Sequence, residues 1–162
     1  MKKKPLDYMK LNMMIQKKKD EEWYINTNQT IAYKTTGDKV VASYGNATAK
    51  AINDRNAIDE NGIELDPVQV IKGLKTIKKE MINNQCAELL APSDWRVVKA
   101  KETETEMDSG WKTWRASVRA KCNSMQTQID NASDVDDLAT LFTYTTTDGV
   151  TSRPLGEFPE KE

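Results

Sequence analysis

Leu89-Leu90-Ala91-Pro92-Ser93-Asp94-Trp95-Arg96, followed after a short acidic spacer by Trp111-Lys112-Thr113-Trp114-Arg115-Ala116-Ser117-Val118-Arg119, sets how the chain folds. The two segments hold three of the four tryptophans. Pro92 stops an upstream helix, and Asp94 opens a short helix straight after it, with its carboxylate near free backbone N–H groups. Arg115 and Arg119 are four residues apart and share one helix face. The spacing predicts a structural ion pair of Asp94 with Arg115 or Arg119, stacked against Trp95 or Trp114. As a buried pair it would make Asp94→Ala cost about 3 kcal/mol. As architecture the set fixes the angle between helices. As an open surface it makes Trp95, Trp111, Trp114, Arg115 and Arg119 the candidate partner-binding residues, because Trp and Arg dominate binding hot spots.

Working outward, Asp66, Pro67 and Gln69 carry helix-start signals. Val70, Ile71, Leu74, Ile77, Met81, Ile82, Cys86, Leu89 and Leu90 then recur at helical spacing, opposite Lys72, Lys75, Lys79, Asn83 and Asn84. This predicts an amphipathic helix of about six turns. Ser93 is a candidate cap for the short helix that follows. Downstream, Asp108 or Ser109 caps a helix with the stripe Trp111, Trp114, Val118, Cys122, Met125, Ile129. Ser133 and Asp136 suggest a capping box for a last helix through Val135, Leu138, Leu141 and Phe142.

Before this module the texture changes. Trp23-Tyr24-Ile25, Thr30-Ile31-Ala32-Tyr33 and Val40-Val41-Ala42-Ser43-Tyr44 are β-branched and aromatic runs, separated by turn residues at Asn28-Gln29 and Thr36-Gly37-Asp38. The expected fold class is α+β. The division is a basic N-terminal arm (1–22), an antiparallel three-stranded β-meander (23–45) and a linker (46–65). A helical module of three to four helices (66–142) and an extended C-terminal tail (143–162) complete it. Asp148-Gly149 in that tail is a hairpin-type turn.

Composition narrows the chemistry. With 38% hydrophobic and 30% charged residues, a small core with ordered-on-contact termini is expected. There is no histidine, which removes the commonest general base, both His-dependent triad types and most zinc sites. Cys86 and Cys122 are the two cysteines and read as small buried hydrophobes. Asp94 beside arginines would be a weak base, and the Glu102–Asp108 cluster reads as a solvated spacer. No catalytic residue, metal site or cofactor is expected.

The net charge of −1 conceals an asymmetry: residues 1–19 carry seven lysines and one aspartate, +6, so the remainder carries −7. A lysine arm can contact nucleic acid, but this one lacks arginine and glycine and ends in Asp20-Glu21-Glu22. A nucleic-acid-binding accessory protein is therefore the second functional reading. No apolar run approaches the ~20 residues that span a bilayer, and Asp7 and Lys10 interrupt any signal-peptide apolar region. The chain is expected to be cytosolic when made.

A helix ending in Leu89-Leu90, then Ser93-Asp94-Trp95, a spacer and Trp114-Arg115-Ala116-Ser117-Val118-Arg119 resembles the C-terminal module of bacteriophage tail assembly chaperones and related tail-fibre-associated proteins. The likeness covers residues 68–123. Cys86 and Glu88 lie where that family's helix carries an arginine. The resemblance implies a non-enzymatic phage protein, acting in tail-fibre assembly or as a virion tail component. Its partners would be other tail or tail-fibre proteins in a multi-copy assembly. It would work in the host cytoplasm during assembly, with retention in the virion tail as the alternative.

Overall fold

The structure, a computed structural model, describes residues 20–26, 31–36 and 39–161. It combines helices with short antiparallel strand pairs, an α+β chain, in two units, Met1–Lys50 and Ala51–Glu162. The lysine arm through residue 19 and the turns at 28–29 and 37–38 lie outside the described residues.

In the first unit, strands β2 (Ile31–Thr36) and β3 (Lys39–Tyr44) form an antiparallel hairpin, with Ile31 opposite Tyr44 and Thr36 opposite Lys39. Among the described residues the expected three-stranded meander does not form. Strand β1 (Tyr24–Ile25) pairs instead with β4 (Thr48–Ala49), so the chain closes around the hairpin. Backbone contacts favour this closure: Lys50 N–H donates to the Trp23 carbonyl at 3.0 Å, and Lys50 Nζ reaches the Glu21 and Glu22 carbonyls. Trp23 is buried there.

In the second unit, β5 (Arg55–Asn56) and β6 (Val70–Ile71) make a short antiparallel ribbon. This corrects the linker of 46–65 and the helix start at Asp66. Val70 and Ile71 are β-branched and pair as strand, so helix α1 (Leu74–Leu90) starts only after Gly73. The first turn of α1 finds its partners in the chain before β5. Gly73 N–H donates to Asp54 Oδ1 at 2.7 Å, Leu74 N–H to the Ala51 carbonyl and Lys75 N–H to that of Ile52. Three otherwise orphaned donors are thereby satisfied. The Gly73 N–H bond, aided by Thr76, holds the Asp54 carboxyl below the usual carboxylate range.

Gly73 is required by proximity. A Cβ there would lie 2.3 Å from the Asn53 carbonyl carbon, and backbone cannot swing aside as a side chain can. Gly73→Ala is expected to cost about 2 kcal/mol, the usual scale for overpacking, read as a lowered urea midpoint. An unchanged midpoint would show that residues 51–54 do not brace the helix.

A short 3-10 turn (Ala91–Ser93) carries Pro92 and leads into α2 (Asp94–Glu102), followed by α3 (Ser109–Asn131) and α4 (Val135–Phe142). The core lies mainly between α1 and α3. Leu74, Lys78, Ile82 and Cys86 are buried at strict fourth-residue spacing on α1, against Val118, Cys122, Met125 and Ile129 of α3. Ile77 and Leu89, assigned to the apolar stripe from periodicity, are exposed. Lys78 takes a core position with its Nζ 4.8 Å from the Phe142 ring centre, where an aromatic face attracts the cation. Asp108 caps α3 by accepting from Trp111 N–H. Helix α4 is capped by Asp134, one residue later than expected, with Ser133 donating to Asp137.

Residues 143–161 are not an extended tail. Strands β7 (Thr145–Thr147) and β8 (Val150–Ser152) form a hairpin around Asp148-Gly149, both at positive φ, as a two-residue primed turn demands. The chain then folds back, burying Leu155 completely. Leu155 N–H donates to the Leu141 carbonyl, Lys121 Nζ to the Leu155 carbonyl at 2.8 Å, and Arg153 pairs with Glu157.

Candidate functional site

Arg115 sits in the first half of α3 and is 4% exposed. Its guanidinium crosses to the end of α1: one NH group donates to the Leu90 carbonyl at 2.8 Å and to Ser93 Oγ, the other to Asp94 Oδ1 at 2.6 Å. Its Nε is buried without a partner. Ser93 Oγ in turn donates to the Leu90 carbonyl. Serine thus serves as a relay between arginine and helix end, and makes no side-chain cap to α2. Pro92 sits at the start of the 3-10 turn, where its missing N–H is tolerated, and the Leu90 carbonyl at the head of that turn accepts from both Ser93 Oγ and Arg115.

The expected Asp94–Arg115 pair is therefore present, with two corrections. The Asp94 side chain is 61% exposed, so the bond joins a buried guanidinium to a wet carboxylate and is not a fully buried pair. Arg119 takes no part in it. Arg119 lies one turn further along α3, exposed, and donates to the Arg115 carbonyl at 3.5 Å. Being buried and fully directed inward, Arg115 is also removed from the candidate partner-binding set. It ties the end of α1 to the start of α2.

Next to this junction, beginning at Trp95, lies a stack of alternating rings and cations. The Arg96 guanidinium carbon lies 4.6 Å from the Trp95 ring centre and 4.5 Å from that of Trp111. Lys161 Nζ stands 5.3 Å from the Trp111 ring. Trp111 meets Trp114 edge-on at 5.6 Å, and the Trp114 indole N–H donates to the Pro159 carbonyl. Trp114 is thus tied to the C-terminal segment, and its polar edge is occupied. Trp95 remains 54% exposed, beside a groove lined by Arg96, Lys99, Met107 and Asp108. None of the nine residues of α2 is buried, and Val98, three residues after Trp95, is exposed with it.

Arg96 and Lys161 were missed from sequence. Arg96 follows Trp95 directly, and the usual neighbour rule for helices pairs residues three or four apart. Its stacking becomes visible only when α3 delivers Trp111. Lys161 required the fold-back of the C-terminal segment.

Cys86 and Cys122 are both free and buried. Burial, with a hydrogen bond to Cys122, pushes the Cys86 thiol up, away from the thiolate needed for nucleophilic attack. The carboxylates of Glu102, Glu104 and Glu106 are exposed. Among the described residues, no group of three or more His, Cys, Asp or Glu is placed to hold a metal ion, and no helix is long and apolar enough to cross a membrane.

No family model, curated protein or solved structure matches this chain.

Proposed function

We propose that this chain is a non-catalytic bacteriophage tail protein that works by protein–protein contact, as a tail or tail-fibre component or assembly factor. The phage assignment rests on the Ser93-Asp94-Trp95 and Trp114-Arg115-x-x-Val118-Arg119 motifs. The contact mechanism rests on one observation: Trp95 stands exposed on a stack with Arg96 and Trp111, next in sequence to the Asp94 that the buried Arg115 ties to the end of α1. A large aromatic presented on a rigid base loses little side-chain entropy on docking, which is what a binding hot spot requires. Trp95, Trp111 and the nearby Val98 form the docking surface. The alternative of a nucleic-acid-binding accessory protein depends on the lysine arm. It would show itself by DNA affinity that falls steeply with salt.

Trp95→Ala is expected to weaken partner binding by about 2 kcal/mol, roughly thirtyfold, at a hot-spot position, with the fold unaffected because the ring is mostly in water. The test is infection with a phage carrying the substitution, counting fibre-bearing particles by microscopy beside an unfolding curve of the purified variant. A normal yield of complete particles would remove this surface from the mechanism. Near-stoichiometric protein in mass spectra of mature particles marks a virion component. Its presence only in assembly intermediates marks an assembly factor, and absence from both would overturn the phage reading.

A further inference from the structure

Arg96 is held in place but not paired. Its guanidinium lies over the Trp95 ring at 4.6 Å and over the Trp111 ring at 4.5 Å. Among the described residues no carboxylate and no neutral acceptor reaches its N–H groups. A guanidinium covered by two indoles has lost part of its hydration, and its N–H edge is what remains for an acceptor in the plane. Lys99 stands on the same ring, its Nζ 6.0 Å from the Trp95 centre, and likewise has no carboxylate partner among the described residues. The acids nearby already have donors: Asp94 has Arg115, Glu106 has Lys112, and Asp108 has the Trp111 N–H. The unmet charge at this point is therefore positive.

Both cations line the groove beside Trp95, whose volume is about 220 Å³. Small-molecule and cofactor sites generally occupy about 300–1,000 Å³, so this groove suits one or two side chains. Trp95 and Val98, each 54% exposed, add an apolar platform next to the cations. The far wall of the groove disfavours a nucleic acid. It belongs to the stretch Glu102–Asp108, which carries four carboxylates, and a strand with a phosphate at every nucleotide would run against them. A single carboxylate has to meet only Arg96 and Lys99.

We propose that the groove takes an aspartate or glutamate of a partner protein, adjacent to an apolar side chain. The carboxylate forks onto the N–H edge of Arg96 with Lys99 beside it, and the apolar neighbour covers Trp95 and Val98. This inference rests on the docking role proposed above for the tryptophan face, and it names the chemistry of what docks there. A bidentate arginine–carboxylate pair fixes orientation as well as charge. The two indoles already hold the guanidinium, so little of its freedom is left to lose on binding. An apolar side chain over Trp95 shields the pair from water, which strengthens it. Arg96 then determines specificity, and Trp95 supplies the contact area.

Selection of short random peptides on the full chain tests it. The selected peptides should share one acidic residue at a fixed distance from an aromatic or aliphatic one. A synthetic consensus peptide, acetylated and amidated so that this side chain is its only carboxylate, is then titrated calorimetrically. Replacing its acid by the matching amide should weaken binding about tenfold or more, the scale of a hydrogen bond to a charged group. Arg96→Gln should cost a similar factor, and the two losses together should cost no more than either alone, which separates direct pairing from a loosened ring. Arg96→Lys keeps the charge without the planar fork and should recover only part. No residue of α2 is buried, so circular dichroism of both variants should remain native. A consensus without an acid, additive losses, or binding that needs Trp95 but is indifferent to Arg96→Gln would overturn the inference and leave the tryptophan face as a docking surface. Failure to select any peptide that depends on Trp95 would overturn both. A labelled single-stranded DNA oligonucleotide that binds with steep salt dependence and is lost with Arg96→Gln would overturn it in favour of a nucleic acid.

Discussion

Arg115→Ala should lower the unfolding free energy by about 3 kcal/mol, combining lost side-chain volume in a packed site with unmet hydrogen-bonding groups. The Arg115 side chain is buried and bonds the Leu90 carbonyl, Ser93 and Asp94 together. Its loss leaves the fully buried Ser93 beside an empty volume that was polar. Arg115→Met, which keeps most of that volume, should recover part of the loss and so divide packing from hydrogen bonding. Asp94→Ala should cost only about 1 kcal/mol, as for exposed ion pairs. The reason is that its 61% exposed carboxylate is already hydrated, and Arg115 keeps its other two acceptors. Urea denaturation of the three variants measures the order. Equal losses for Asp94→Ala and Arg115→Ala would show that the ion pair dominates and the bonds to Leu90 and Ser93 matter little.

Leu155→Ala is expected to cost about 3 kcal/mol, within the range for deleting a fully buried leucine side chain. The prediction is sharp because Leu155 lies in a segment that otherwise reads as a polar tail. Its burial, the Lys121 bond to its carbonyl and the Trp114 bond to Pro159 make the C-terminal segment part of the core. Amide exchange at Leu155, whose N–H donates to the Leu141 carbonyl, should then be slow in the isolated protein. Loss of this anchor should also disturb the tryptophan stack, since Lys161 and Pro159 both contact it. A change in tryptophan fluorescence would accompany the lost stability. Rapid exchange at Leu155 with unaltered stability would return the segment to the status of a loose arm.

Helix positions within the second unit could be read from local chemistry. Pro92 marks the end of α1, Asp108 caps α3, and Asp148-Gly149 turns the last hairpin. Each of these acts over a few residues, through a missing N–H, a carboxylate near free donors, or a backbone suited to positive φ. The stripe on α3 was readable for a similar reason: Val118, Cys122, Met125 and Ile129 repeat at the helical period and are all buried. The Asp94–Arg115 pair was within reach too, because both residues sit next to helix boundaries that the local signals locate.

What local chemistry could not supply is the choice among competing partners. Asp66-Pro67 carries good helix-start signals, yet Val70 and Ile71 pair with Asn56 and Arg55, and α1 begins after Gly73 where residues 51–54 meet its first turn. Tyr24 could have paired with the neighbouring hairpin but meets Ala49 instead. Arg115 and Arg119 are equivalent by spacing, and only the packing of α3 against α1 sends one inward and leaves the other in water. The same holds for Leu155, a single leucine in a polar stretch, which carries no periodicity for a pattern to detect. Its burial depends on α3 and α4 leaving a place for it. Periodicity and capping report what one segment can do alone, whereas register, inward or outward choice and tail docking depend on residues tens of positions away.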